Sequence, residues 1–282
     1  MENRKLNHES ILRILPDRDV KAHKGDFGRV LLLCGSRGYT GAAALAAMGA
    51  LRVGSGLAYL GVPECIYEIE AVKLTEPIVF PLPEKNGMFS IKAVAEIEAR
   101  IHQMDAVLIG PGMGKSSDCR ELVNYILGTY KGPVVLDADG INVIAKHKDV
   151  LRGRAGITIL TPHEGEFTRL SGMAIENRQR SAEILAEELG VIIALKGHET
   201  VVTDGNITYI NDTGNPGMAV GGCGDVLAGM ITGLIGQDID PLEATAAAVW
   251  LHGKAGDICA ENLSQYAMLP SDMLNALPQL LK

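Results

Sequence analysis

Five short runs of uninterrupted apolar residues, separated by stretches of helical character, restrict the folds open to this chain more than any other feature. They lie at 30–34, 106–109, 134–136, 157–160 and 191–195. A strand with one wet face alternates apolar and polar residues. One that is apolar throughout is buried on both faces, as in a parallel sheet covered by helices. Apolar periodicity places helices at 41–53, 90–103, 117–128, 176–189, 224–236 and 241–260. Strand and helix in alternation predict a three-layer α/β fold, its mostly parallel central sheet covered by helices on both faces, with right-handed crossovers. The 33 glycines suit such layers, because small residues let helices approach a sheet closely and glycine supplies positive φ in tight turns.

Two segments break the pattern. Residues 200–203 and 207–210 flank Asp204-Gly205 and predict a small antiparallel hairpin. Residues 76–89, rich in Pro and Gly, read as a long irregular connection. No linker is long or polar enough to divide the chain, so a single domain over 1–282 is expected, with 1–22 as an N-terminal extension. The formal net charge of −8, with no Lys/Arg block, argues against nucleic-acid binding. No apolar stretch has the length of a membrane span, and the N-terminus lacks a signal-peptide core. Five scattered cysteines without CxxC or His at metal spacing predict free thiols in a reducing cytoplasm.

Glycine-rich turns follow three of the apolar runs: Gly35-Ser-Arg-Gly38, Gly110-Pro-Gly-Met-Gly114 and Thr161-Pro-His-Glu-Gly-Glu166. Ligands of open parallel sheets bind beyond the carboxyl ends of the strands, so these loops delimit one shared site. Neither the GxGxxG fingerprint nor a GxxxxGK[ST] loop is present. What stands out instead is Asn215-Pro-Gly-Met-Ala-Val-Gly-Gly-Cys-Gly-Asp225, which runs directly into an apolar helix. Free amides and the dipole at a helix N-terminus favour an anion. An aspartate beside an anion site makes sense as the base for a hydroxyl that attacks phosphorus. The alternative for Asp225 is a simple helix cap.

That segment resembles the signature of the ribokinase-like superfamily. His23-Lys-Gly-Asp-Phe-Gly28, the small-residue stretch from Gly41 to Gly56, Ile109-Gly-Pro-Gly112, Leu136-Asp-Ala-Asp139, Leu160-Thr-Pro-His-Glu-Gly-Glu166 and Leu195-Lys-Gly197 accompany it in order. Together they resemble the ADP/ATP-dependent NAD(P)H-hydrate dehydratases over nearly the whole chain. The resemblance implies that a nucleotide phosphorylates the C6 hydroxyl of the S epimer of NADHX or NADPHX, after which phosphate is eliminated and the cofactor restored. It implies Asp225 as catalytic base and Gly222, Cys223 and Gly224 as the anion hole. Ala42, Gly112, His163 and Asp225 would contact the hydrated cofactor. Lys196, Gly197, His198, Glu199, Thr200 and Gly224 would hold the adenine nucleotide, ADP or ATP. Glu166 is the candidate for holding Mg²⁺, through water. A homotetramer is implied too, as is an NAD(P)HX epimerase. The 22 residues before His23 are too few for an epimerase domain, so a separate protein is expected.

By residue type alone, bland alternatives stand beside these roles. Ala42 is equally a packing residue and His163 a hydrogen-bonded structural histidine. Glu166 could be a first-turn acid countering the helix dipole, and Lys196 a solvated strand-end residue. Asp137 and Asp139 could cap the following turn or lie near a metal. His252, on the helix with Trp250, reads as core or interface packing. Two positions depart from the family pattern. Cys223 stands where Thr is more usual, which weakens or removes a hydroxyl hydrogen bond in the anion loop. Gly140 stands where a bulkier residue is common, which predicts a looser turn after Asp139. The rival reading is a vitamin-precursor kinase of the same superfamily.

Overall fold

The computed structural model describes residues 2–282. Met1, the first residue of the expected extension, lies outside the described residues. The strands are β1 (Glu2–Arg4), β2 (Arg29–Leu33), β3 (Leu57–Pro63), β4 (Ile78–Leu82), β5 (Glu84–Lys85), β6 (Met88–Phe89), β7 (Ala106–Ile109), β8 (Val134–Leu136), β9 (Thr158–Leu160), β10 (Ile192–Leu195), β11 (Val201–Thr203) and β12 (Ile207–Ile210). The helices are α1 (His8–Ile14), α2 (Thr40–Arg52), α3 (Glu64–Lys73), α4 (Val94–Ile101), α5 (Ser117–Thr129), α6 (Asp139–Ile144), α7 (Glu164–Ser171), α8 (Arg178–Leu189), α9 (Cys223–Ile235), α10 (Pro241–Leu263) and α11 (Pro270–Leu280).

Among the described residues, ten strands form one sheet in the order β1-β12-β11-β10-β9-β8-β7-β2-β3-β4. All neighbours are parallel except β10 with β11 and β11 with β12. The expected α/β architecture and its antiparallel hairpin are therefore present. The period of two explains why the runs are apolar throughout. Val30 and Leu32 of β2 join the core under α2, α9, α10 and α11, while Leu31 and Leu33 join the core under α4, α5 and α8. All four are fully buried.

From β2 the chain first builds outward through β3 and β4, then returns to add β7, β8, β9 and β10 on the other side. The strand order thus reverses between β2 and β7, where a crevice opens at the carboxyl ends. The two helices bordering it, α2 and α9, meet through small residues. A Cβ at Gly229 would strike the Ala46 carbonyl, and one at Gly233 would stand 2.6 Å from the Ala50 oxygen. Their backbones touch because there is no side chain between them.

Three expectations are corrected. Residues 76–89 are not an irregular connection, since β4 and the β5–β6 hairpin lie there. Pro81 is compatible with β4 because this strand is at the sheet edge, where one side needs no amide donors. The helix expected at 90–103 begins as a 3₁₀ turn over Ile91–Ala93 and becomes α4 only at Val94. The turn after Asp139 is not loose. Gly140 is buried and its amide donates to the Asp137 carbonyl at 2.9 Å. A Cβ there would stand 2.6 Å from the Ile109 oxygen, so the close approach of β7 requires glycine. Residues 2–14, within the expected extension, add β1 beside β12 and place Ile11 fully in the core.

Candidate active site

Helix α9 begins at Gly222, whose φ of 104° is open to glycine at little cost, and its next residues are Cys223, Gly224 and Asp225. Asp225 is the third residue of the helix. Its carboxylate makes no hydrogen bond or ion pair among the described residues, so it is not a cap. Burial first, then the nearby charge of Asp137, push its pKa up to about 7, against the opposing pull of Lys196. A carboxylate with that value is balanced between holding and releasing a proton near neutral pH, as a general base should be.

Lys196 directly follows β10 and reaches back toward the start of α9. Its Nζ lies 2.6 Å from Asp137 Oδ1 at the end of β8, and a Cβ at Gly224 would sit 3.4 Å from it. Burial alone would lower the lysine pKa. The charges of Asp137, Glu166 and Asp225 outweigh that, and the net direction is upward. The ammonium is thus held charged beside the amides of the anion loop. Asp137 is buried and also accepts from Thr161 Oγ1 at 2.7 Å. Sequence reasoning left Asp137 unassigned; the structure makes it the anchor of Lys196. Asp139 instead accepts from the Gly114 amide at 3.0 Å and lies 3.5 Å from Lys115.

Cys223 turns away from the crevice. Its Sγ lies 3.7 Å from Met273 Sδ, and burial raises its pKa to about 11. The thiol is a neutral packing group, so an anion at this loop would be held by backbone amides and not by the side chain of Cys223. The side chain of Asn215 caps the turn ahead of the loop, accepting from Gly217, and donates to Asp257 at 3.2 Å.

On the facing wall, the loops after β2 and β7 are stitched together. Gly35 N–H donates to the Pro111 carbonyl at 2.8 Å and Ser36 Oγ to the Gly112 carbonyl at 2.7 Å. Gly112 has φ 62°, and a Cβ there would stand 2.9 Å from the Cβ atoms of both Ala42 and Tyr39. Ala42 and Gly112 are therefore neighbours. One helical turn on from Ala42, Leu45 meets Gly222, where a Cβ would lie 2.6 Å from Leu45 Cδ1. Helix α2 thus touches Gly112 at one turn and the start of α9 at the next.

His163 caps α7: Nδ1 accepts from the Gly165 amide at 3.0 Å, and the half-exposed ring leaves Nε2 3.5 Å from Glu166 Oε1. Glu166 closes the same capping box, its Oε2 accepting from His163 N–H at 3.0 Å. The structural reading of each residue is therefore satisfied, with His163 Nε2 and Glu166 Oε1 still free of short contacts. His163 also bridges to Lys196 as a parallel β-bridge, which brings these two together. Gly197, His198 and Glu199 form the exposed turn after β10, between the candidates Lys196 and Thr200. Thr200 folds its hydroxyl back onto the Gly197 carbonyl at 2.9 Å. Among the described residues no three of His, Cys, Asp and Glu converge on a metal position. The donor set fits only a Mg²⁺ carried largely by phosphate oxygens and water, the usual habit of that ion.

One residue that the sequence offered only as core or interface packing makes a polar contact. His252, buried in α10, places Nε2 2.9 Å from the Cys223 carbonyl. Nothing local in the sequence signals a contact across 29 positions.

A family model described as NAD(P)H-hydrate dehydratase matches residues 30–279. A bifunctional NAD(P)H-hydrate repair enzyme Nnr from Moorella thermoacetica is 42% identical over 95% of this chain and 52% of its own length. The chain therefore spans about half the length of that relative. An ADP-dependent (S)-NAD(P)H-hydrate dehydratase from Bacillus subtilis is 35% identical over 97% of this chain and 96% of its own. The crystal structure of an ADP/ATP-dependent NAD(P)H-hydrate dehydratase from Bacillus subtilis, co-crystallized with ATP/Mg²⁺, superposes with a TM-score of 0.83 at 32% identity, covering 97% of this chain and 96% of that one.

Proposed function

The chain belongs to the NAD(P)H-hydrate dehydratase family, and we propose that it dehydrates the S epimer of NADHX and NADPHX, returning NADH and NADPH, with ADP or ATP as phosphoryl donor. The observation that carries this reading is Asp225: an unpartnered carboxylate with pKa about 7, set in the first turn of a glycine-led helix beside the Lys196 ammonium.

Hydroxide is a poor leaving group and phosphate a good one, so the chemistry divides into two steps. In the first, Asp225 accepts the proton of the C6 hydroxyl as its oxygen attacks the terminal phosphorus of the nucleotide. The bond from that phosphorus to its bridging oxygen breaks, and AMP leaves when ADP is the donor. The amides of Gly222, Cys223 and Gly224, with Lys196, hold the charge that grows on the phosphoryl oxygens. In the second step the C6–O bond breaks, phosphate leaves with the electron pair, and loss of the C5 proton forms the C5=C6 double bond.

Ala42 and Gly112 would let the hydrated ring approach the backbone without a side chain between. His163 Nε2 would offer a polar contact at the same crevice. Lys196, Gly197, His198, Glu199, Thr200 and Gly224 would hold the adenine nucleotide, with the exposed turn free to close on it. Mg²⁺, when bound with the nucleotide, would neutralise phosphate charge, with Glu166 Oε1 holding it through water. We further propose a homotetramer working in the cytoplasm. Because only the S epimer is consumed, an epimerase that interconverts S and R forms is its expected partner. No helix among the described residues is long and apolar enough to cross a membrane.

The test is incubation of purified protein with NADHX and either ADP or ATP, followed at the NADH absorbance band. Restored NADH with stoichiometric phosphate supports the dehydratase. A stable phosphate ester without NADH would instead identify a kinase, and no reaction with either nucleotide would sink both readings.

A further inference from the structure

We propose that His252 is a positioning residue of the anion hole, acting through the single peptide unit that joins Cys223 to Gly224. This rests on the reading above, in which the Gly224 amide holds the transferred phosphoryl group. The ring is 7% exposed, in the middle of α10, and Nε2 stands 2.9 Å from the Cys223 carbonyl oxygen. A carbonyl oxygen only accepts, so Nε2 carries the hydrogen. Burial, with the neighbouring Lys196 charge adding to it, lowers the His252 pKa to about 4, so the ring is neutral at physiological pH. The groups that act on its charge are the Lys196 ammonium, just after β10, and the Cys223 carbonyl of α9 that it holds.

A trans peptide unit is planar, so its C=O and N–H point in opposite directions. Whatever grips the Cys223 oxygen therefore aims the Gly224 N–H. The grip also draws electron density toward the oxygen, which makes the N–H a stronger donor. The need for such a grip is local: Cys223, on one side of this unit, rests its thiol on Met273, but Gly224, on the other, has no side chain to fix the peptide plane by packing. Helix α10 supplies from 29 residues away what the loop lacks. In this scheme His252 never exchanges a proton and never touches substrate.

The test compares wild type with His252→Phe, which keeps the ring without a donor, and His252→Gln, whose amide can donate from a similar position. Turnover of NADHX with ADP by the wild type examines the functional reading by itself. For His252→Phe, kcat should fall roughly 10- to 100-fold, the size of effect expected when one oxyanion donor is misaimed. The KM for ADP should change little, and both limbs of the pH profile should stay in place. His252→Gln should recover most of the rate. Independently of turnover, the ¹⁵N–¹H resonance of Gly224 should move in the Phe variant, and titrated inorganic phosphate should bind it more weakly. Unchanged kcat and phosphate affinity in His252→Phe would overturn the proposal. So would a Gln variant as impaired as the Phe variant, a lost limb of the pH profile, or ¹⁵N shifts that place the ring hydrogen on Nδ1. An inactive wild type sinks the functional reading alone, because the phosphate titration still decides the role of His252.

Discussion

Replacing Asp225 with Asn should abolish turnover and, at alkaline pH, make the protein more stable. The carboxyl pKa rises from an ordinary 3.8 to about 7 in the folded chain, so the folded state binds that proton more tightly than the unfolded one. The stability tied to this proton is fully present below 3.8 and is lost as pH rises through about 7. Above pH 8 the wild type carries a buried charge that costs about 4 kcal/mol relative to the neutral form. Solvent at the crevice mouth screens part of this, which leaves an expected gain of about 2–4 kcal/mol for Asp225→Asn at pH 8.5. The amide is nearly isosteric and cannot ionise, so its own stability carries no such dependence. The assay is guanidinium denaturation of both proteins at pH 8.5, 7, 5.5 and 4.5, with turnover measured in parallel. The difference should shrink steadily as pH falls, to about a quarter of its pH 8.5 value at pH 4.5, while turnover at pH 8.5 falls by roughly 10³-fold or more, a deficit that narrows at acid pH as the wild-type carboxyl takes up its proton. A difference that does not vary with pH, or a variant less stable at pH 8.5, would refute the raised pKa and with it the assignment of the base.

Because Asp225 must be ionised to act, kcat/KM should rise with pH through an acid limb near 7. Asp137→Asn removes a charge that raises this value and should move the limb to lower pH, whereas Lys196→Met should move it to higher pH. Gly112→Val places a branched side chain at φ 62° against Ala42 and Tyr39. The KM for NADHX should rise at least tenfold, with the affinity for ADP, measured by calorimetry, little altered. Gly229→Ala drives a methyl into the Ala46 carbonyl and should cost about 1–3 kcal/mol in a denaturant titration.

The sheet was legible where strands are buried on both faces. Residues 30–33 lie in the centre of the sheet, between β7 and β3, and their apolarity follows from that position alone. Edge strands carry no such signature. Residues 2–4, Glu-Asn-Arg, pair with β12 through their backbone, and Pro81 in β4 disguised the other edge. Helix α11 opens on Pro270 and holds Pro278 within it, so its periodicity was broken at both ends. Residues 57–63 were overlooked because Gly61 interrupts the apolar run. The candidate catalytic loop stands out in the sequence because its glycines and its acid are contiguous. Of the residues that join it from elsewhere, Asp137 under Lys196 could only be left unassigned, and His252 under Cys223 could be read only as packing. Their meaning lies in distances of 2.6 and 2.9 Å between parts of the chain far apart in sequence.

The contact of α2 with α9 has a mechanical consequence. Ala42 opens one of these helices and Asp225 the other, and between them backbone meets backbone at Gly49, Gly229 and Gly233. At Gly49 and Gly229 the nearest atoms across the seam are backbone, which leaves little slack for relative sliding. Ala42 and Asp225, the proposed substrate wall and base, would therefore travel as one stiff jaw, their separation set by how closely two helices can pack. Any closing motion must come from the opposite jaw, where Gly197, His198 and Glu199 stand exposed after β10. Ligand-induced protection from hydrogen exchange should accordingly appear at that turn, with the seam already protected before anything binds.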